Sequence, residues 1–150
     1  GRRKPDAIWY AARDQGRVAG AHAAGEAKRY ERPVWYNSAK LMDIEFTTVG
    51  HLPEVHAEND DGAWTEWFAQ ETKPVGSTVR VVAKEGAVVG VNCLGRRWDH
   101  TVFQRWVREG VDLSAARHRL ADAAFDTEFV PAFAPAVETV RPFDVASGRP

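Results

Sequence analysis

The apolar positions first recur at helical spacing and then change to the alternation of strands. Across residues 6–25, small and apolar side chains repeat every three or four positions, which predicts a helix. Gly16 and Gly20 lie inside this stretch, where glycine costs about 1 kcal/mol relative to alanine. We therefore expect this helix to approach another backbone closely and to end near Gly25.

Four segments after this helix have the pattern of β-strands. They are rich in β-branched residues or alternate apolar with polar side chains. The segments are residues 43–49, 64–71, 78–84 and 87–94. Only Glu85-Gly86 separates the last two, a connection typical of a hairpin in which glycine supplies a positive φ. The pattern predicts an antiparallel meander of about four strands.

Helical spacing returns after the last predicted strand. Asp99 can cap a helix that Gly110 ends, and Asp112 or Ser114 can begin a second, shorter helix. The element order is therefore α+β: an N-terminal helix, an antiparallel β-meander and two C-terminal helices.

Composition divides the chain into three parts. Residues 1–30 hold the first helix and a charged connector, residues 31–130 the α+β domain, and residues 131–150 a Pro/Ala/Gly-rich tail that we expect to be poorly ordered or to dock elsewhere. We expect the small-residue face of the first helix to pack against a partner outside the α+β domain. The chain also begins with Gly1 rather than Met, which we expect of a processed product or a fragment of a longer protein.

Charge and hydropathy exclude several classes of function. The formal net charge is −1, which argues against a general nucleic-acid binder because phosphate binding needs concentrated positive charge. No apolar run approaches the roughly 18 residues of a membrane span, and no secretory signal pattern is present. The single cysteine, Cys93, cannot form an internal disulfide. These features predict a cytoplasmic protein without membrane or nucleic-acid partners.

No catalytic constellation or metal site is predicted. His51 and His56 lie in an acidic segment, but their spacing matches no standard ligand set and favours a solvated loop. Gly86 and Gly90 frame a hairpin strand rather than a dinucleotide fingerprint. Alternation favours a buried structural role for Cys93 over a redox role.

Arginines cluster around the first C-terminal helix and give this region a positive bias. They are Arg96, Arg97, Arg105 and Arg108. They could attract a cofactor phosphate, but we favour a solvated face paired with Asp99 and Glu109.

Two pairs of adjacent aromatics are candidates for contact with a flat ligand. Trp9 and Tyr10 lie in the first helix, whereas Trp35 and Tyr36 precede the first predicted strand. Neighbouring side chains of an extended segment point in opposite directions, so one of them can enter a core while the other covers a ligand or a surface. Burial in the core is favoured for any single one of these rings.

Two segments resemble a known family. The stretch IWYAARDQGRVAGAHAAG, residues 8–25, resembles the long helix that follows the FAD-binding Gly-Asp motif in pyridine nucleotide-disulfide oxidoreductase-type flavoproteins. The stretch PVWYNSAKLMDIEFTTVG, residues 33–50, is similar to the opening of their C-terminal interface domain, especially in the ferredoxin-reductase-like branch. With the element order, the resemblance covers roughly residues 6–125.

The resemblance implies the C-terminal part of an FAD-dependent NAD(P)H oxidoreductase. Residues 1–30 then hold a helix of a missing FAD-binding domain, and residues 31–130 an interface domain that packs on that domain and builds a homodimer. The missing FAD- and NAD(P)-binding domains belong either to the same chain or to a separate subunit. Trp35 and Tyr36 match the paired aromatics near the flavin, and Trp9 matches the turn beside the isoalloxazine ring. The Gly-rich motifs for FAD and NAD(P)H and a CxxC pair are absent from the sequence, so we expect no bound cofactor and no activity from this chain alone.

A second hypothesis is a non-enzymatic α+β module for dimerisation or protein binding. It predicts a closed core and a self-complementary interface, whereas the flavoprotein hypothesis predicts an exposed face on the first helix. A small independent enzyme of another class is the least favoured alternative, because no catalytic constellation supports it.

Overall fold

The computed structural model describes residues 8–52, 63–72 and 76–142 of the 150-residue chain. It divides into two compact units, Gly1–Pro33 and Val34–Pro150. Each unit is described by itself below.

The first unit contains one helix, α1 (Trp9–Ala23). Gly25 follows it with a φ of 86°, and the Glu26 amide donates to the Ala21 carbonyl at 2.9 Å. A left-handed glycine with this six-residue hydrogen bond closes the last helical turn, which confirms the predicted end of the helix. At 15 residues, α1 is the longest helix of the described part, and none there is long and apolar enough to cross a membrane.

The second unit is built on one six-stranded antiparallel sheet. The strands are β1 (Tyr36–Leu41), β2 (Ile44–Gly50), β3 (Trp64–Gln70), β4 (Thr78–Lys84), β5 (Ala87–Leu94) and β6 (Val137–Pro142). Their order across the sheet is β1-β2-β5-β4-β3-β6. The predicted α+β class is confirmed, but the predicted count of about four strands is too low.

The two unpredicted strands form the edges of the sheet. β1 coincides with the extended lead-in to the first predicted strand, and β6 lies within residues 131–150, where a tail was expected. All six residues of β6 are exposed, so this strand lacks the apolar alternation that marks a buried one. Backbone pairing with β3 holds it in place.

Two helices and a 3-10 turn cover one face of the sheet. They are α2 (His100–Glu109), α3 (Leu113–His118) and the turn Leu120–Ala123. Phe103 and Trp106 of α2 are fully buried against valines of the central strands. Full burial of such a side chain contributes roughly 1.5–3 kcal/mol, so this helix–sheet contact is the centre of the core.

The predicted helix boundaries follow from their capping residues. The Asp99 carboxylate accepts from the Thr101 amide at 2.9 Å, and Gly110 ends α2 with a φ of 61°. Asp112, one of the two predicted candidates, caps α3 by accepting from the Ser114 amide at 2.8 Å. Side-chain acceptors at these positions satisfy amides that the first helical turn leaves unpaired.

The turn between β4 and β5 confirms the predicted hairpin. Lys84 pairs with Ala87, and the two turn residues Glu85 and Gly86 have φ values of 50° and 82°. Positive φ at both positions belongs to the turn type whose twist matches the flanking strands. The Glu85 carboxylate also accepts from the Ala63 amide at 2.8 Å, which ties the turn to the start of β3.

Candidate functional site

Tyr36 begins β1 and packs against the edge of the core. Its ring stacks on the imidazole of His100 with centroids 4.1 Å apart and planes inclined by 10°. Burial lowers the pKa of His100 and outweighs the opposing effect of the Asp99 carboxylate. The neutral imidazole therefore acts as a second flat ring, and the pair joins β1 to the start of α2.

Trp35 precedes Tyr36 and is half-buried. Its carbonyl accepts from the Gly50 amide at 2.7 Å, and the carbonyl of Val34 accepts from Gln104 of α2 at 2.8 Å. The segment that carries Trp35 and Tyr36, which we call the aromatic opening, is thus fixed to both the sheet and a helix.

Trp9 lies in the first unit, at the start of α1. Its side chain is 68% exposed, with the ring of Tyr10 edge-on at 5.3 Å and the guanidinium of Arg13 also 5.3 Å from its centroid. Of the three predicted ring-contacting residues, Trp35 and Tyr36 therefore lie in the second unit and Trp9 lies in the first.

A cavity that no sequence pattern predicted lies at the opposite edge of the sheet from β1. Its volume is about 490 Å³, and its lining comes from β3, β6, α3, the approach to α2 and residues 124–135. Four aromatic rings contribute to its walls: Trp67, Trp98, Phe125 and Phe133. We call it the aromatic cavity.

Three arginines also line the aromatic cavity, and each lies against an aromatic ring. The guanidinium of Arg97 is 4.1 Å from the centroid of Phe125. Arg117 lies over Trp67 and donates to Glu138, which also accepts from the Trp67 indole at 2.9 Å. Flat cations on aromatic faces give these walls both apolar surface and positive charge.

Arg96, the third arginine, is buried, so its predicted position on a solvated face is wrong. Its Nε atom lies 3.5 Å from a carboxylate oxygen of Glu71, and its guanidinium donates to the Pro131 carbonyl at 2.7 Å. Glu71 in turn accepts from the Ala134 amide at 2.9 Å. This buried pair fastens residues 131–134, one wall of the aromatic cavity, to the end of β3.

A second buried carboxylate stabilises the edge of the sheet. Glu66 of β3 lies between Arg80 of β4 and Arg141 of β6 and bonds to both. Burial alone would raise the pKa of Glu66, but the hydrogen bonds and charges of the two arginines outweigh it and lower this pKa. Glu66 therefore remains ionised and ties β3 to both β4 and β6.

The cysteine and histidines considered in the sequence form no catalytic or metal-binding group among the described residues. Cys93 is buried as predicted, and burial raises the pKa of its thiol, so it stays protonated. His51 lies at the end of a described segment, whereas His56 and the surrounding acids fall outside the described residues. Within the described ranges, no three His, Cys, Asp or Glu side chains are grouped as a metal would require.

Comparison with protein-family models and with curated protein sequences finds no match for this chain. The resemblance of residues 8–25 and 33–50 therefore stays an expectation, and the side chains of the described part are the remaining guide to function. Three features of the described part leave surface open to a partner or a ligand: the exposed side of α1, the exposed end of the β1–β2 hairpin, and the aromatic cavity.

Proposed function

We propose that this chain is the C-terminal part of an FAD-dependent NAD(P)H oxidoreductase, in which α1 packs on the FAD-binding domain and the sheet unit serves as its interface domain. The observation that carries the proposal is that none of the 15 described residues of α1 is buried. Helices in globular proteins derive most of their stability from packing an apolar face, so α1 needs a partner surface.

The exposed side of α1 is suited to close contact with another backbone. Helical spacing places five exposed residues in one row, which we call the exposed stripe: Trp9, Ala12, Gly16, Gly20 and Ala23. A Cβ atom added at Gly16 or Gly20 would meet no atom within 4 Å beyond the helix's own turns. Nothing in the described part therefore explains why both positions are glycine, and a docked partner does.

The exposed stripe and the aromatic opening each carry aromatic surface that suits contact with a flavin ring but that could not bind the whole cofactor. Trp9 offers an exposed indole, and Trp35 and Tyr36 lie on a segment anchored to β2 and α2. A nucleotide phosphate would require a Gly-rich turn at a helix N-terminus, which the preceding domain would supply. Bound FAD would supply the hydride chemistry. The resemblance makes Trp9 of the first unit, and separately Trp35 and Tyr36 of the second, candidates to lie against its ring.

The test is flavin binding by this chain alone and together with the FAD/NAD(P)H-binding segment from the same locus. We expect the chain alone to bind no FAD, and the combination to show flavin absorbance, quenched flavin fluorescence and NAD(P)H oxidation. Gly20→Leu should weaken the association at least tenfold, because a large side chain would hold the two backbones apart. A colourless combination, or a locus without such a segment, contradicts the proposal.

Gln15→Leu is the matched control for this test. Gln15 is an exposed residue of the same helix but lies outside the exposed stripe. We expect this variant to associate as the unchanged chain does. If Gln15→Leu and Gly20→Leu weaken association equally, the stripe is not the contact surface.

A second candidate function, dimerisation through β1, is favoured by exposed apolar side chains at one end of the sheet. We call them the hairpin patch: Leu41, Met42, Ile44 and Leu94. Met42 is 88% exposed and has a φ of 55°, a conformation that is unfavourable for a non-glycine residue. The adjoining strand β1 is an edge, so two copies could pair β1 with β1 about a two-fold axis and cover both patches.

Sedimentation velocity separates this second candidate from a monomer. We expect the unchanged chain to form a dimer at micromolar concentration. The double variant Leu41→Lys with Ile44→Lys should be monomeric, because positive charges of the two copies would repel each other across the two-fold axis. Val137→Lys with Val140→Lys, on the exposed edge strand β6, is the control and should leave the dimer intact. A monomeric unchanged chain would rule out this interface.

A further inference from the structure

We propose that the aromatic cavity binds a small planar aromatic carboxylate. Neither the resemblance nor the proposed function assigns this site. It lies at the β3–β6 edge, and the aromatic opening lies at the β1 edge.

The size of the aromatic cavity suits a small molecule. Its volume of about 490 Å³ falls in the usual range of ligand pockets, roughly 300–1,000 Å³. Trp98 and Phe133 meet edge-to-face with centroids 5.5 Å apart, which gives two walls at an angle to each other. Walls of this kind favour a flat ring that can lie against one face and meet the edge of the other.

The charge of the lining selects an anion. Two of the three arginines have a carboxylate partner, Arg96 with Glu71 and Arg117 with Glu138. Arg97 is exposed, and its guanidinium rests on Phe125 without a carboxylate partner among the described residues. A guanidinium binds a carboxylate through two parallel hydrogen bonds, so Arg97 is the group that would receive the acid.

Because Arg97 is the one arginine of the lining without a carboxylate partner among the described residues, the cavity favours a ligand with a single negative charge. The carboxylate of Glu138 lines the same cavity and would repel the second charge of a phosphate. The preferred ligand therefore carries one carboxylate beside an aromatic ring, with the acid at Arg97 and the ring along the aromatic walls.

The walls are held in place before any ligand arrives. The Glu71–Arg96 pair fixes residues 131–134, and Glu138 accepts from both Trp67 and Arg117. A site whose side chains are already positioned loses less conformational entropy when a ligand binds.

The experiment uses three two-ring probes of similar shape: 2-naphthoate, the neutral 2-naphthalenemethanol and the cationic 2-naphthylmethylammonium. Binding to the 150-residue chain is measured from the indole N–H signals in two-dimensional NMR titrations. We expect 2-naphthoate to bind with a dissociation constant of about 0.1–1 mM and to shift the Trp67 and Trp98 signals. The signals of Trp9 and Trp64, which do not line the cavity, should stay in place.

Arg97→Gln should weaken 2-naphthoate binding about tenfold and leave the neutral probe unaffected. The control is Arg108→Gln, which removes an exposed arginine of α2 that does not line the cavity and should change neither affinity. The proposal is overturned if none of the three probes binds, if the neutral or cationic probe binds as well as the anion, or if Arg97→Gln binds as the unchanged chain does.

The outcome is independent of the flavin test. These titrations need no FAD and no preceding domain. Charge-selective binding would establish the aromatic cavity as a site even if the flavoprotein proposal failed. Conversely, if the chain does associate with an FAD-binding segment, that result neither supports nor contradicts ligand binding in the aromatic cavity, and the three titrations still test it.

Discussion

Replacing Gly90 with alanine is expected to lower the free energy of unfolding by at least about 3 kcal/mol. A Cβ atom at Gly90 would overlap the carbonyl oxygen of His51 and lie 2.9 Å from its carbonyl carbon. Gly90 pairs with Gly50 at the end of β2, and the His51 amide donates to Val89 there at 2.7 Å. The clash is with backbone, which cannot rotate away as a side chain would, so β2 and β5 would have to separate.

Chemical denaturation followed by tryptophan fluorescence measures this loss. Gly16→Ala is the matched control, because a Cβ atom there meets no atom within 4 Å beyond the helix's own turns. Removing a helical glycine should leave stability unchanged or raise it by up to about 1 kcal/mol. Equal stabilities for Gly90→Ala and Gly16→Ala would contradict the close approach of β2 and β5.

The parts of the fold that could be predicted from sequence depend on local chemistry. Glu85-Gly86 requires positive φ, and Asp99 and Asp112 cap the helices that directly follow them. Each of these signals is contained within a few residues of the structure that it determines. Local sequence therefore suffices to place the β4–β5 hairpin and the beginnings of α2 and α3.

The edge strands could not be found in this way. β1 and β6 each pair with one neighbour and leave much of their side-chain surface exposed, so neither needs the apolar alternation of a central strand. β6 is held by backbone pairing with β3 and by Arg141, which bonds to Glu66. These contacts join residues some 70 positions apart in the chain. The alternation of apolar and polar residues within one strand does not indicate them.

The aromatic cavity escaped prediction for the same reason. Its charged and aromatic side chains come from segments far apart in the sequence, as the Glu71–Arg96 and Trp67–Glu138 contacts illustrate. Arg96 and Arg97 are adjacent in the chain, yet one is buried and the other exposed. The neighbouring residues cannot reveal which of the two becomes a structural cation and which remains available to a ligand.

Glu71→Gln is expected to be almost as destabilising as Gly90→Ala, at about 3 kcal/mol, for an electrostatic reason. Glu71 is only 3% exposed and is the buried partner of Arg96. The substitution preserves the side-chain shape and an acceptor for Ala134 but leaves the Arg96 charge buried without an anion. Breaking one partner of a buried ion pair typically costs 3–5 kcal/mol.

Urea denaturation of a double variant distinguishes this charge effect from a loss of packing. Glu71→Met with Arg96→Met removes both charges, so it should recover a large part of the stability that Glu71→Gln loses. Glu138→Gln is the surface control: its pair with Arg117 is partly exposed and should contribute no more than about 1 kcal/mol. If the double variant is less stable than Glu71→Gln, then the hydrogen bonds to Pro131 and Ala134, rather than charge neutralisation, hold this wall of the aromatic cavity in place.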